Sequence, residues 1–231
     1  MEDGKVMINI LYEDNHLLVV EKKVGVLSQS DGSNTPDMLT ILKEYIKEKY
    51  NKPGNVYLGL VHRLDKNVGG VMVFAKTSKA ARRLSEQIRN REFKKTYLAV
   101  CKGIIESDGE YLDYLKRVEY RSLVSNSKEG KLASLTYQVL DTKDNNTLVK
   151  IKLETGRHHQ IRVQFAHHKH PLQGDEKYGS KGKYPVALFA YKLEFSHPTT
   201  KENLSFSIMP EEGYFTSFAN IIKEKSTLTK P

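Results

Sequence analysis

Apolar and polar positions follow two different rhythms along the chain, and these divide it into strands and helices. Alternating or short continuous apolar runs at 8–12, 17–20, 71–75, 95–100, 133–139, 148–153, 186–195 and 204–208 predict strands. Glu13-Asp14-Asn15 is a turn between the first two, and Asp144-Asn145-Asn146 joins 133–139 to 148–153 as an antiparallel pair. Helical spacing places Met38, Ile41, Leu42, Tyr45 and Ile46 on one face of a helix over 37–50, closed by Asn51-Lys52-Pro53-Gly54. Thr77 or Ser78 caps a second helix, in which Ala81, Leu84 and Ile88 face the core. A third starts at His158, since no breaker follows until Pro171, and Phe215, Phe218, Ile221 and Ile222 mark a short fourth before a frayed tail at 226–231. Residues 103–130 have the least periodicity and are expected to hold hairpins. Strand pairs alternating with single helices predict an α+β fold with a mixed, largely antiparallel sheet.

The chain has 231 residues, which suits one compact body, so a single domain over 1–231 is expected. Its one cysteine, Cys101, rules out an intramolecular disulfide framework, fits a reducing cytoplasm, and reads as a small strand residue. The opening MEDGKVMINI carries acids where a signal peptide carries cations, and no apolar run approaches a membrane span. Lysine and arginine outnumber the acids 37 to 28, a net charge of +9 that favours a polyanionic partner, RNA or DNA ahead of a membrane surface.

Two polar constellations carry candidate chemistry. In 61–77, VHRLDKNVGGVMVFAKT, one carboxylate, Asp65, sits between Arg63 and Lys66 in a turn between apolar runs. Nearby cations keep such an acid ionised. The second is Thr155-Gly156-Arg157-His158-His159-Gln160-Ile161-Arg162. An inward-facing Arg162 needs an anion, because an unpaired buried charge costs several kcal/mol, and Asp65 is the natural candidate. Lys79, Arg82 and Arg83 make the second helix a phosphate-contacting surface. His158, His159, His167, His168 and His170 lack metal-ligand spacing and clustered acids, so no metal is expected. Ser28-Gln29-Ser30 reads as a solvated loop, and the glycines form no nucleotide-binding pattern.

At His62-Arg63-Leu64-Asp65 the sequence resembles the RluA-type family of RNA pseudouridine synthases. Ordered blocks carry the resemblance: Tyr12-Glu13-Asp14 with 17–22, then 59–65 with Phe74-Ala75-Lys76-Thr77, and Lys95-Thr96-Tyr97-Leu98-Ala99. Gly130-Lys131-Leu132-Ala133, 155–162, Gly174-Asp175 with Tyr178-Gly179, and 193–198 complete it. Val68-Gly69 stands where the family usually has Thr-Ser, and Lys23 where proline is common. The family's S4-type N-terminal domain is expected to be absent, since the catalytic segment opens by residue 12.

The resemblance implies a pseudouridine synthase fold with a central RNA-binding cleft, isomerising uridines in ribosomal or transfer RNA without cofactor or metal. It implies Asp65 as the essential carboxylate, either nucleophile or base at the ribose 2′ position. Arg162 is implied as its partner and Tyr97 as the residue that packs on the base. Arg63 suits a wedge beside a flipped nucleotide, with His62 next to it in the RNA-contacting set as a supporting residue. A cytoplasmic monomer with no obligate protein partner is expected. The alternatives are an RNA-binding or RNA-folding protein on the same fold, and a metal-dependent hydrolase using the histidines.

Overall fold

A computed structural model describes residues 8–227, with side-chain environments to residue 224. Residues 1–7, whose acids argue against a signal peptide, lie outside the described residues, as do the last four of the expected tail. The chain forms two compact units, one from 1–93 with 192–208, the other from 94–191 with 209–231.

In the first unit, β1 (Asn9–Glu13), β2 (Leu17–Lys22) and β4 (Gly69–Ala75) pair antiparallel in that order. The apolar run ahead of Asp65 gives only the two-residue β3 (Gly59–Leu60), which also pairs with β4. Helix α1 (Met38–Lys49) begins where expected, with the Asp37 carboxylate accepting from Thr40 N–H. Helix α2 (Ser78–Arg89) is capped in the same way by Thr77 on Ala80 N–H. Alternate residues of the strands, Leu17, Val19, Val71 and Val73, pack with Ala80 and Leu84 of α2. Phe93, Leu193 and Phe195 complete this core, with the rings of Phe93 and Phe195 stacked at 5.0 Å.

The second unit is an antiparallel series in the order β5 (Lys94–Lys102), β9 (Asn146–Leu153), β8 (Lys131–Lys143), β6 (Gly109–Val118) and β7 (Arg121–Ser125). The aperiodic region therefore does hold a hairpin, β6–β7. Its register was hidden because one face of β6 is exposed while still carrying Leu112 and Tyr114. Cys101 is buried in β5, and burial pushes its thiol pKa well up, which suits a packing role.

Helix α3 (Gln160–His167) starts two residues later than the sequence suggests, because His159 adopts a left-handed conformation (φ 54°) and serves as its N-cap. It packs against this unit's sheet, where Phe165 meets Tyr111 edge-on at 5.0 Å. Strand β10 (Leu188–Ser196) begins in the second unit and ends in the first, where it pairs with β11 (Asn203–Ser207). A 3-10 turn at Gly213–Phe218 leads into α4 (Ala219–Thr227). The described residues form an α+β fold with a mixed, mostly antiparallel sheet.

Candidate active site

Asp65 lies in the turn between β3 and β4, half-buried, with its carbonyl accepting from Val68 N–H at 3.0 Å. The chain then enters β4 through Gly69 and Gly70. Gly70 has φ +127°, a conformation that side chains rarely tolerate, and it sits opposite Lys22 in the β2–β4 ladder. Val68, the least family-like residue here, is buried, so the departure places an apolar side chain in the core.

The neighbours of Asp65 face different ways. Arg63 is exposed, while Lys66 is exposed and reaches Thr35 Oγ1 at 3.3 Å. His62 is buried, its Nε2 accepting from Val73 N–H at 3.1 Å and its ring 5.6 Å from Phe93. That geometry gives His62 an anchoring role beneath the turn.

In the sequence Lys22 is marked only as the end of a block that resembles the family, just past the expected strand, yet it is fully buried. Burial lowers its ammonium pKa, and the negative charge of Asp65 opposes that shift, leaving it at about 8. Ser28 overturns the expectation of a solvated loop. It is buried because its hydroxyl is bonded to both the N–H and the carbonyl of Leu64.

In the second unit, Tyr97 occupies β5 opposite Ile151 and is almost wholly buried. The 155–162 constellation is fastened by Gln160, whose Oε1 accepts from Thr155 Oγ1 (2.8 Å) and Arg157 N–H (3.0 Å) while its Nε2 donates to Ser134 O. Arg162 is gripped at two points by Asp175: Nε donates to Oδ2 and Nη2 to Oδ1. Tyr178 lies over the guanidinium at 5.3 Å, and its hydroxyl meets His159 Nδ1 and Ser122 N–H, each at 2.9 Å. Gly174 precedes Asp175 with φ +70°, and a Cβ there would run into the Tyr184 carbonyl oxygen. Apart from its place in a Gly-Asp block, nothing in the sequence marks Asp175 as the residue that holds Arg162.

Of the α2 cations, Lys79 and Arg82 are exposed. Arg83 is turned partly inward and donates to Pro198 O at 2.7 Å. Among the described residues no group of three or more His, Cys, Asp or Glu side chains is arranged to hold a metal ion. His168 instead stacks on Tyr111 at 3.9 Å and meets Asp113 at 3.2 Å. No helix among the described residues is long and apolar enough to cross a membrane.

The fold is that of pseudouridylate synthases. It matches Human RNA Pseudouridylate Synthase Domain Containing 4 with a TM-score of 0.77 at 23% identity, covering 93% of each chain. Human RNA Pseudouridylate Synthase Domain Containing 1 matches at 0.72 and 22%, covering 96% of this chain and 98% of that one. The chain belongs to the RNA pseudouridylate synthase family, whose model matches residues 16–167, a span containing Asp65, Tyr97 and Arg162.

An uncharacterized RNA pseudouridine synthase of Aquifex aeolicus is 38% identical over 90% of this chain and 71% of that protein. A ribosomal large subunit pseudouridine synthase D of Haemophilus influenzae is 32% identical over 96% and 73%. One of Xanthomonas campestris is 35% identical over 90% and 67%. The chain is accordingly an RNA pseudouridine synthase, an isomerase that acts on uridine in RNA, and a purely RNA-binding role on the same fold is not favoured.

Proposed function

We propose that this enzyme converts uridines of large-subunit ribosomal RNA to pseudouridine, as a cytoplasmic monomer whose two units serve as one catalytic domain. The observation that carries the reading is Asp65, displayed on a tightly hydrogen-bonded turn inside the family match. The substrate assignment is supported by relatives named for the large ribosomal subunit.

Asp65 is the essential carboxylate. It attacks the ribose C1′, or it removes the 2′ proton to give a glycal. In either route the C1′–N1 bond breaks, the uracil turns, and C5 bonds to C1′, displacing the Asp65 carboxylate from C1′ in the first route and with Asp65 returning the proton to C2′ in the second. The C5 proton is then lost and N1 gains one, so the reaction is a balanced isomerisation needing no cofactor or metal. Tyr97 packs on the base and assists loss of the C5 proton. Arg162, kept in orientation by Asp175, is the positively charged partner that the family resemblance assigns to Asp65.

A base within a stem is out of reach, so the nucleotide is flipped out at a cost of roughly a few kcal/mol. Exposed Arg63 fills the vacated space, with His62 supporting the turn behind it. Lys79 and Arg82 contact phosphates, and Arg83 contributes less. Pseudouridine mapping in total RNA from cells with and without the gene tests this. Sites in large-subunit ribosomal RNA should disappear and return with the wild-type gene but not with Asp65→Ala. Loss confined to transfer RNA would replace the substrate assignment, and no loss at all would overturn the reading.

A further inference from the structure

We propose that Ser28, together with Lys22 and Gly25, is a positioning device for Asp65: the 22–28 segment grips the backbone on both sides of the aspartate and sets where its carboxylate lies. This rests on Asp65 being the reacting carboxylate.

The grip before Asp65 comes from one hydroxyl. Ser28 Oγ donates to Leu64 O at 2.7 Å and accepts from Leu64 N–H at 3.0 Å. The carbonyl it holds belongs to the peptide that leads directly into Asp65. The grip after Asp65 converges on one carbonyl, Lys66 O, which accepts from Gly25 N–H at 2.9 Å and from Lys22 Nζ at 3.1 Å. Between the two grips, Val68 N–H ties Asp65 O at 3.0 Å. The backbone from 64 to 66 is therefore fixed from outside at both ends, which sets the direction in which the Asp65 side chain leaves it.

The gripping segment is itself held. Lys22 Nζ also donates to Val26 O at 2.6 Å and Lys23 O at 3.1 Å, closing the loop on its own ammonium. Leu27 N–H donates to Pro36 O at 3.0 Å and Leu27 O accepts from Met38 N–H at 2.8 Å, which moors the loop to the start of α1. Gly25 turns the loop back with φ +89°, presenting its N–H to Lys66.

A solvated turn would need none of this. Taking a lysine ammonium out of water is costly, and the charge is retained only where it is well served by acceptors and a nearby anion. Here three carbonyls accept hydrogen bonds from its N–H groups, and Asp65 supplies the negative field. The cation therefore does two things, stitching the loop to the turn and adding a fixed positive charge near the carboxylate.

The test measures kcat, KM and RNA affinity of Ser28→Ala on a substrate RNA fragment, well below its unfolding temperature. Misplaced catalytic groups lose rate rather than binding, so kcat should fall by about tenfold or more with KM and affinity within about twofold. Ser28→Thr, which keeps the hydroxyl, should recover most of the rate. Ser28→Cys replaces the alanine variant if that one does not fold. Asp65→Glu provides a readout that a merely structural serine would not move. Its rate loss should be smaller in the Ser28→Ala background than in the wild type, because the carboxylate there is already out of place. An unchanged kcat in folded Ser28→Ala, or losses that simply multiply, would overturn the proposal. Asp65→Asn run alongside separates the two readings, since turnover by that variant would sink the assignment of Asp65 and not the grip alone.

Discussion

Arg162 and Asp175 meet as a fork on a carboxylate, with Nε to Oδ2 at 2.8 Å and Nη2 to Oδ1 at 2.7 Å. The Asp175 side chain is fully buried, and two parallel bonds fix the plane of the guanidinium as well as its position. With Tyr178 over one face, α3 presents Arg162 in a single orientation.

Removing Asp175 takes away the two hydrogen bonds that its buried carboxylate accepts from the Arg162 guanidinium. Asp175→Ala should therefore destabilise the protein by on the order of 3 kcal/mol. Denaturant unfolding will register it as a lower midpoint. Asp175→Asn, nearly isosteric, should fold yet lose turnover more than RNA affinity, because the guanidinium loses its charged fork.

Asp65→Asn keeps the shape of the turn and removes the ionisable group. Pseudouridine formation should fall below detection while RNA affinity changes by less than about twofold, since the loss is confined to chemistry. Nucleoside analysis of treated RNA alongside a binding titration provides both readings.

Phosphate contacts appear as salt dependence. Neutralising Lys79 and Arg82 together should reduce the slope of log K against log salt by roughly 0.7–0.9 per lost contact. Arg83→Gln should change it less, because that guanidinium is committed to Pro198 O. Equal effects at all three positions would show that the inward hydrogen bond does not restrain Arg83.

Glu13 gives a pH signature. Burial alone would raise its pKa, but bonds from Lys49, Lys76, Tyr50 and Tyr45 outweigh that and bring it down to about 2. A carboxylate depressed in the folded state contributes stability that is complete above its unfolded value, near 4.5, and is lost as pH falls through the folded one. The unfolding free energy from urea titrations should decline between these limits, by on the order of 2 kcal/mol once screening is allowed for. Glu13→Gln should be less stable at pH 7 and show a flatter decline.

The start of α1 and the cap at Thr77 were legible in the sequence because capping and periodicity are local, and the β8–β9 pair because one turn sets its register. Asp65 and Arg162 stood out in the sequence as charged groups in two polar constellations, but the roles proposed for them and for Tyr97 come from ordered blocks that resemble a family, since single polar residues carry no spacing of their own. What escaped was tertiary. Nothing beside Ser28 announces that Leu64, 36 residues later, meets its hydroxyl through both N–H and carbonyl. Lys22 looks like any strand-end lysine until the Lys66 carbonyl is brought to it. The start of α3 was misplaced because His159 takes a left-handed conformation without being glycine, a choice made by contacts such as Tyr178 rather than by the residue type.

The way the two units share the chain has a consequence for synthesis on the ribosome. Phe93 is made early, but the ring it stacks on, Phe195, and the neighbouring Leu193 arrive about a hundred residues later. The core of the first unit therefore stays open while most of the second is translated. Gene fragments that stop after residue 93 should yield an aggregation-prone product, whereas supplying residues 192–208 by a tether gives that unit its missing strands.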